Sequence, residues 1–185
     1  MGNPETRGKL LQAAKRLLLQ ASQLEGVTAR QISTEAGTNL AMINYCFKSK
    51  DELLKLAVDE IIGEEFSRYT VSNNPELSAK SRLRELLFNV SKAMIKFKNL
   101  TKLSIPYLML YDEITLPQKL LPLIRQHFNG KRTEAECRVI AFQLVYPMQL
   151  IFYRAEDFKN YSGVDVTDEK QMEGFLDSQI NMLLD

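Results

Sequence analysis

The stretch that decides the fold is AGTNLAMINYCFKSKDELL, residues 36–54. Gly37 is a natural left-handed stop for a helix ending near Ala36, and Asn39 can cap a short helix running from Leu40 to about Cys46. Ser49-Lys50-Asp51-Glu52 then reads as a capping box that launches another helix. At about 100° per residue, Leu40, Ala41, Asn44 and Tyr45 share an arc of roughly 140°. Ile43 lies outside that arc and is expected to pack on Ile32 and the first helix, with Phe47 a further core candidate.

Upstream, Asn3-Pro4-Glu5 reads as an N-cap, a proline at the first helical position and an early acid. Leu10, Leu11, Ala14, Leu17, Leu18 and Ala21 follow at helical spacing. Gly26 ends that segment. Thr28 with Gln31 forms a second capping box, and Val27 with Ile32 a hydrophobic staple, opening a helix to about Ala36. Downstream of Ser49, Leu53, Leu54, Ala57, Val58 and Ile61 continue the helical period. After Tyr69 the segment TVSNNPELSAK is rich in turn residues. Further helices are predicted at about 78–98, 103–113, 117–128, 133–155 and 168–184. There is no internal repeat or glycine-rich phosphate loop, and few alternating runs support strands, so the expected fold is all-α.

With 185 residues, 45% hydrophobic and 25% charged, the chain is expected to fold as an ordinary globular protein of one or two small domains. Its longest apolar stretch, Val139 to Phe152, is interrupted by Gln143 and Gln149 and falls short of the ~20 residues of a membrane span, so no membrane partner is expected. MGNPETRGK lacks the apolar core of a secretory signal. With only two cysteines, this argues for a reducing, cytoplasmic setting in which Cys46 and Cys137 are free thiols. The net charge is +1, but residues 1–50 carry seven Lys/Arg against three Glu, which makes this the end suited to a polyanion. His127, the one histidine, has no acid or nucleophile at motif spacing, and no metal-ligand set or cofactor motif exists.

Two helices joined by a tight glycine turn allow the second to enter the DNA major groove. Asn44 suits the N6 and N7 edge of adenine, and Leu40, Ala41 and Met42 suit a thymine methyl. Thr28, Arg30, Thr38, Tyr45, Lys48 and Lys50 offer hydroxyl and cationic groups to phosphates. On helical pattern alone two alternatives stay open: an adaptor that uses the face around Leu40 to bind protein, and a helical enzyme in which the helix pair is structural.

From Thr6 through Leu54 the sequence resembles the DNA-binding domain of the TetR family of bacterial transcriptional repressors. The resemblance rests on Thr6-Arg7, Leu10 to Ala14, Gly26-Val27-Thr28, Ile32, Ala36-Gly37 and Ile43 through Leu53. The Asn44-Tyr45 pair looks like one branch of the family. Cys46 stands where the family usually has His or Tyr, and reads as a small buried thiol. Thr38 stands where Val is frequent. The resemblance implies a helix-turn-helix domain over residues 1–50, a connecting fourth helix over 50–70, and a helical effector-binding and dimerisation domain over 71–185. It also implies a non-enzymatic homodimeric repressor of a double-stranded DNA operator, responsive to a small molecule. Phe88, Met94, Phe97, Tyr107, Tyr111, Phe142 and Tyr146 are the candidates to line an apolar effector cavity. VIAFQLVYPMQLIFY is apolar nearly all round, with a kink expected at Pro147, and the last helix repeats Met172, Leu176, Ile180 and Leu183. These two helices are the expected dimer interface.

Overall fold

A computed structural model describes residues 4–21, 26–67 and 76–185, with only the backbone of Phe66 and Leu103. Asn3 and most of the turn-rich segment near residue 70 lie outside the described residues. The chain divides into two compact units, residues 1–65 with 99–104 and residues 66–98 with 105–185.

In the first unit, α1 (Pro4–Gln20) begins at the proline that the sequence places at a helix start. It packs against α2 (Ala29–Glu35) and α3 (Ala41–Phe47), which also pack on each other. Leu10, Leu18, Ile32, Ile43, Phe47 and Leu53 close the core between them, Leu53 coming from α4 (Lys50–Ser67). The apolar spacing of α1 and α4 therefore marks buried side chains. Lys15 of α1 is buried with them, its ammonium donating to Glu60 (3.2 Å) and Glu64 (2.5 Å) one turn apart on α4. The Glu64 carboxylate above all, and then Glu60, raise the Lys15 pKa against the opposing effect of burial.

In the second unit, α5 (Ala79–Lys96) packs against α7 (Leu121–Phe128) and α10 (Glu169–Leu184), while α8 (Glu134–Tyr153) packs on α7 and on a 3-10 turn over Leu116–Lys119. Leu83, Ile124, Leu144, Met172 and Ile180 are almost wholly inaccessible at the centre. A ladder of ion pairs edges α5 and α10: Lys80 with Asp185, Arg84 with Asp177 and Glu173, and Lys92 with Glu169. Thr133 and Glu136 form a reciprocal capping box at the start of α8.

Four expectations change. Residues 97–102 hold no glycine or proline to force a gap, and α6 (Lys98–Leu110) starts with only Phe97 between it and the end of α5, instead of near 103. The helix predicted over 117–128 is split, because Pro122 has no amide hydrogen to donate back to the preceding turn; a 3-10 turn ends at Lys119 and α7 starts afresh at Leu121 with Pro122 in its first turn. A further helix, α9 (Ala155–Ser162), follows α8 and stops at Gly163, which has φ of 77°. Its eight residues bury none fully, so it carries no apolar period to detect. Finally, the buried stripe of α10 is Met172, Leu176, Ile180 and Leu184, with Leu183 only half-buried. That stripe belongs to the chain's own core and is not free to cover a partner. α8 runs as one helix through Pro147.

Candidate nucleic-acid interface

The exposed face of α3 is built by the caps on either side of it. Thr28 caps α2: its Oγ1 accepts the Gln31 amide (3.2 Å) and the Gln31 Oε1 accepts the Thr28 amide (2.8 Å). Gly37, at φ of 62°, turns the chain, and the Thr38 amide donates to the Ser33 carbonyl at 2.9 Å. Asn39 Oδ1 then accepts the Ala41 amide at 2.9 Å, starting α3. Lys48 ends that helix with φ of 65°, and Ser49 Oγ accepts the Glu52 amide at 3.1 Å to begin α4. Between these ends the buried Ile43 and Phe47 set the rotation of α3 about its axis.

That rotation leaves Leu40 50% and Tyr45 63% exposed, with Ala41 and Asn44 also outward. The Arg7 guanidinium lies over the Phe47 ring at 4.8 Å from its centroid, tying the exposed side of α1 to the end of α3. Arg30 and Lys48 are exposed, Met42 is half-buried, and the half-buried Lys50 places its ammonium 3.5 Å from the Val27 carbonyl, beside the start of α2. The two threonine hydroxyls differ in surroundings: Thr28 is exposed and Thr38 half-buried. The Thr28 Oγ1–H donates to Gln31 Oε1 at 2.8 Å, and the Thr38 Oγ1 is buried with no hydrogen-bond partner. Cys46 is half-buried rather than buried, because it stands at the margin of the arc defined by Ile43 and Phe47; both cysteines are free.

The aromatic set expected to line an effector cavity is only partly gathered. Tyr111, Phe142 and Tyr146 border an open cleft of ≈ 560 Å³ with Met109, Pro147 and Leu150. Phe142 stacks on Tyr146 with ring centroids 4.4 Å apart, and Tyr107 stands 6.0 Å from Tyr111. Met94 is buried elsewhere, Phe88 is half-buried under the Lys92 ammonium, and Phe97 lies under that of Lys96. Side chains that helical spacing alone groups together therefore separate in space, because α5 directs its apolar side to α7 and α10.

A capped α2–turn–α3 pair carrying an exposed polar and apolar face is a helix-turn-helix arrangement, whose second helix has the placement needed to enter a DNA major groove. The FadR repressor of Thermus thermophilus, a TetR-family protein solved with lauroyl-CoA, is 15% identical with a TM-score of 0.70, covering 96% of this chain and 93% of that one. In sequence, the chain is 32% identical over 111 residues to the HTH-type transcriptional dual regulator CecR of Shigella flexneri, and the match covers 52% of this chain and 48% of that protein. It is 28% identical over 159 residues to the probable HTH-type transcriptional regulator YttP of Bacillus subtilis, covering 84% of this chain and 67% of that one. The chain thus spans about half the length of the first relative and two thirds of the second. No protein-family model matches it. The fold is that of the TetR-family transcriptional regulators. Among the described residues no helix is long and apolar enough to cross a membrane.

Proposed function

We propose that the protein is a ligand-responsive transcriptional regulator that binds a near-palindromic operator as a homodimer, with α3 in the major groove. The observation that carries the reading is the outward face of Leu40, Ala41, Asn44 and Tyr45 on a helix whose opposite side, Ile43 and Phe47, is locked in the core. A face so fixed costs little ordering on binding, which suits direct base contact. Asn44 is the polar base reader, with Leu40 and Ala41 beside it. Tyr45, Arg30, Lys48 and Lys50 are the phosphate contacts, and Lys50 reaches them at the start of α4, where free amides favour an anion. Asn39 acts by setting the helix, and Thr28 by capping α2.

In domain terms, residues 1–50 are the DNA-binding part, α4 connects, and the helices beyond residue 71 dimerise and hold the effector. For the dimer, the free apolar surface is on α8: Val139, Phe142, Leu150 and Tyr153 remain exposed, while Met172, Leu176 and Ile180 are consumed internally. Binding to random-sequence duplex across a salt series tests the reading. A regulator of this kind loses affinity steeply as salt rises, because phosphate contacts release counterions. Absence of binding at low salt would leave the outward face of α3 to a protein partner and refute the proposal.

A further inference from the structure

We propose that the ≈ 560 Å³ cleft bordered by Tyr111, Phe142 and Tyr146 is half of a ligand site, completed by α8 of a second copy, and that it takes a planar aromatic molecule without negative charge. The inference rests on the reading of the chain as a ligand-responsive dimer and specifies where and what it binds.

Three observations converge on it. The first is that the cleft lacks a wall. A small-molecule site of about this size buries some 70–90% of its ligand, yet Leu110 and Tyr111 on its rim are 71% and 77% exposed. An apolar molecule seated there in one copy would keep much of its surface in water.

The second is that the cleft opens onto a surface suited to a second copy. Val139, Phe142, Tyr146, Leu150 and Tyr153 recur every three or four residues along α8 and form a seam on one side of that helix, and all but Tyr146 are exposed. A second, smaller cleft of ≈ 370 Å³, lined by Ile114, Pro117, Val139 and Phe142 with Arg138, paired to Glu134, at its edge, lies along the same seam and shares Ile114 and Phe142 with the first. The opposite side of α8, with Cys137, Ile140, Ala141, Leu144 and Met148, is already spent in the chain's own core. A seam of this kind, uncharged along its middle, is self-complementary under a two-fold axis. A second copy laid on it roofs both clefts.

The third concerns chemistry. Phe142 and Tyr146 are stacked with 15° between their planes, offering flat faces, and Tyr111 and Tyr146 carry the phenol groups that orient a ligand. Among the described residues lining the larger cleft there is no Lys, Arg or His, and its one ionisable acid is Asp112. Roofing the cleft would strip water from an anion and give it no cation in return, so carboxylates and sulfonates are disfavoured.

The test uses two probes that share one ring skeleton, neutral N-phenyl-1-naphthylamine and its sulfonate, 8-anilino-1-naphthalenesulfonate, with the full chain and two variants. Tyr111→Ala alters the rim of the cleft. Val139→Asp places a charge in the seam at a position exposed in the single copy, outside the larger cleft. Light scattering gives the mass, circular dichroism checks folding, and probe fluorescence reads binding. The expected result is a dimer that binds the neutral probe and binds the sulfonate about tenfold more weakly. Val139→Asp should be a folded monomer that no longer binds the neutral probe although its larger cleft is unchanged, and Tyr111→Ala a dimer that binds it weakly. A Val139→Asp chain that stays dimeric, or that binds the probe as the parent does, overturns the proposal. So does equal binding of the two probes, or a parent dimer that binds neither. DNA affinity measured on the same parent protein separates that failure from failure of the regulator reading, because it involves neither probe nor cleft.

Discussion

Replacing Lys15 separates the worth of its hydrocarbon stem from that of its charge. The side chain is 9% exposed, whereas those of Glu60 and Glu64 are 45% and 64% exposed. Removing the lysine therefore strands neither acid in an apolar interior. Lys15→Met keeps most of the stem and loses the ammonium. Its two ion pairs end in water, so their net worth is about 1 kcal/mol, with a few tenths more from the unrelieved repulsion of two carboxylates one turn apart. Lys15→Ala also loses roughly three methylenes at about 0.8 kcal/mol each, for a total of about 3–4 kcal/mol. Urea unfolding followed by circular dichroism at neutral pH should resolve the two steps. The pH dependence carries a sign: a lysine held above its ordinary pKa in the folded state stabilises fully below the unfolded value, and the gain is lost as pH rises through the folded value. From neutral pH upward, the gap between the parent and Lys15→Met should accordingly stay constant up to the ordinary lysine range and close above it. If Lys15→Met costs as much as Lys15→Ala, or if the gap persists undiminished well above the lysine range, the account of this pair is wrong.

Ile43→Ala, at a site about 1% exposed, should cost about 2–4 kcal/mol and unfix α3, which thermal unfolding measures. Arg84→Lys should lose the forked contact to Asp177 and Glu173 and lower stability by about 1 kcal/mol in the same assay, because an ammonium cannot reproduce the guanidinium geometry. Arg125, with Arg138, holds the Glu134 carboxyl down to about 2. Its pairing should persist below the ordinary carboxylate range and fail only as pH falls toward that value, and in Arg125→Ala the carboxyl titration followed by NMR should move up toward the ordinary range.

Much of the first unit could be read from the sequence because its signals are local. Thr28 with Gln31, Gly37, and Asn39 each act within a few residues, and the caps they predict form within a residue of the expected places. The start of α6 and the whole of α9 were not legible: the first lacks a breaking residue, and the second buries no side chain fully. Long-range placement was also hidden. Phe88 and Phe97 share a helical period with core residues but end far from Phe142 in role, since only the packing of α5 on α7 and α10 decides which side of the helix faces which neighbour. The same limit applies to α10, whose apolar stripe reads equally as core or interface until the structure shows it buried. The hydroxyl of Thr38 was legible as a residue type but not as a buried group.

The claim that α3 reads DNA is tested most directly by comparing Asn44→Ala with Lys50→Ala in a binding-site selection followed by affinity measurements over a salt series. Asn44→Ala should cost about 1–3 kcal/mol on the best operator and relax the preference at one base pair of each half-site. Lys50→Ala should weaken all sequences alike and reduce the salt slope by about one unit per half-site. Unchanged affinity and sequence preference in Asn44→Ala would contradict the account, and would return Leu40 and Tyr45 to a surface with some other partner.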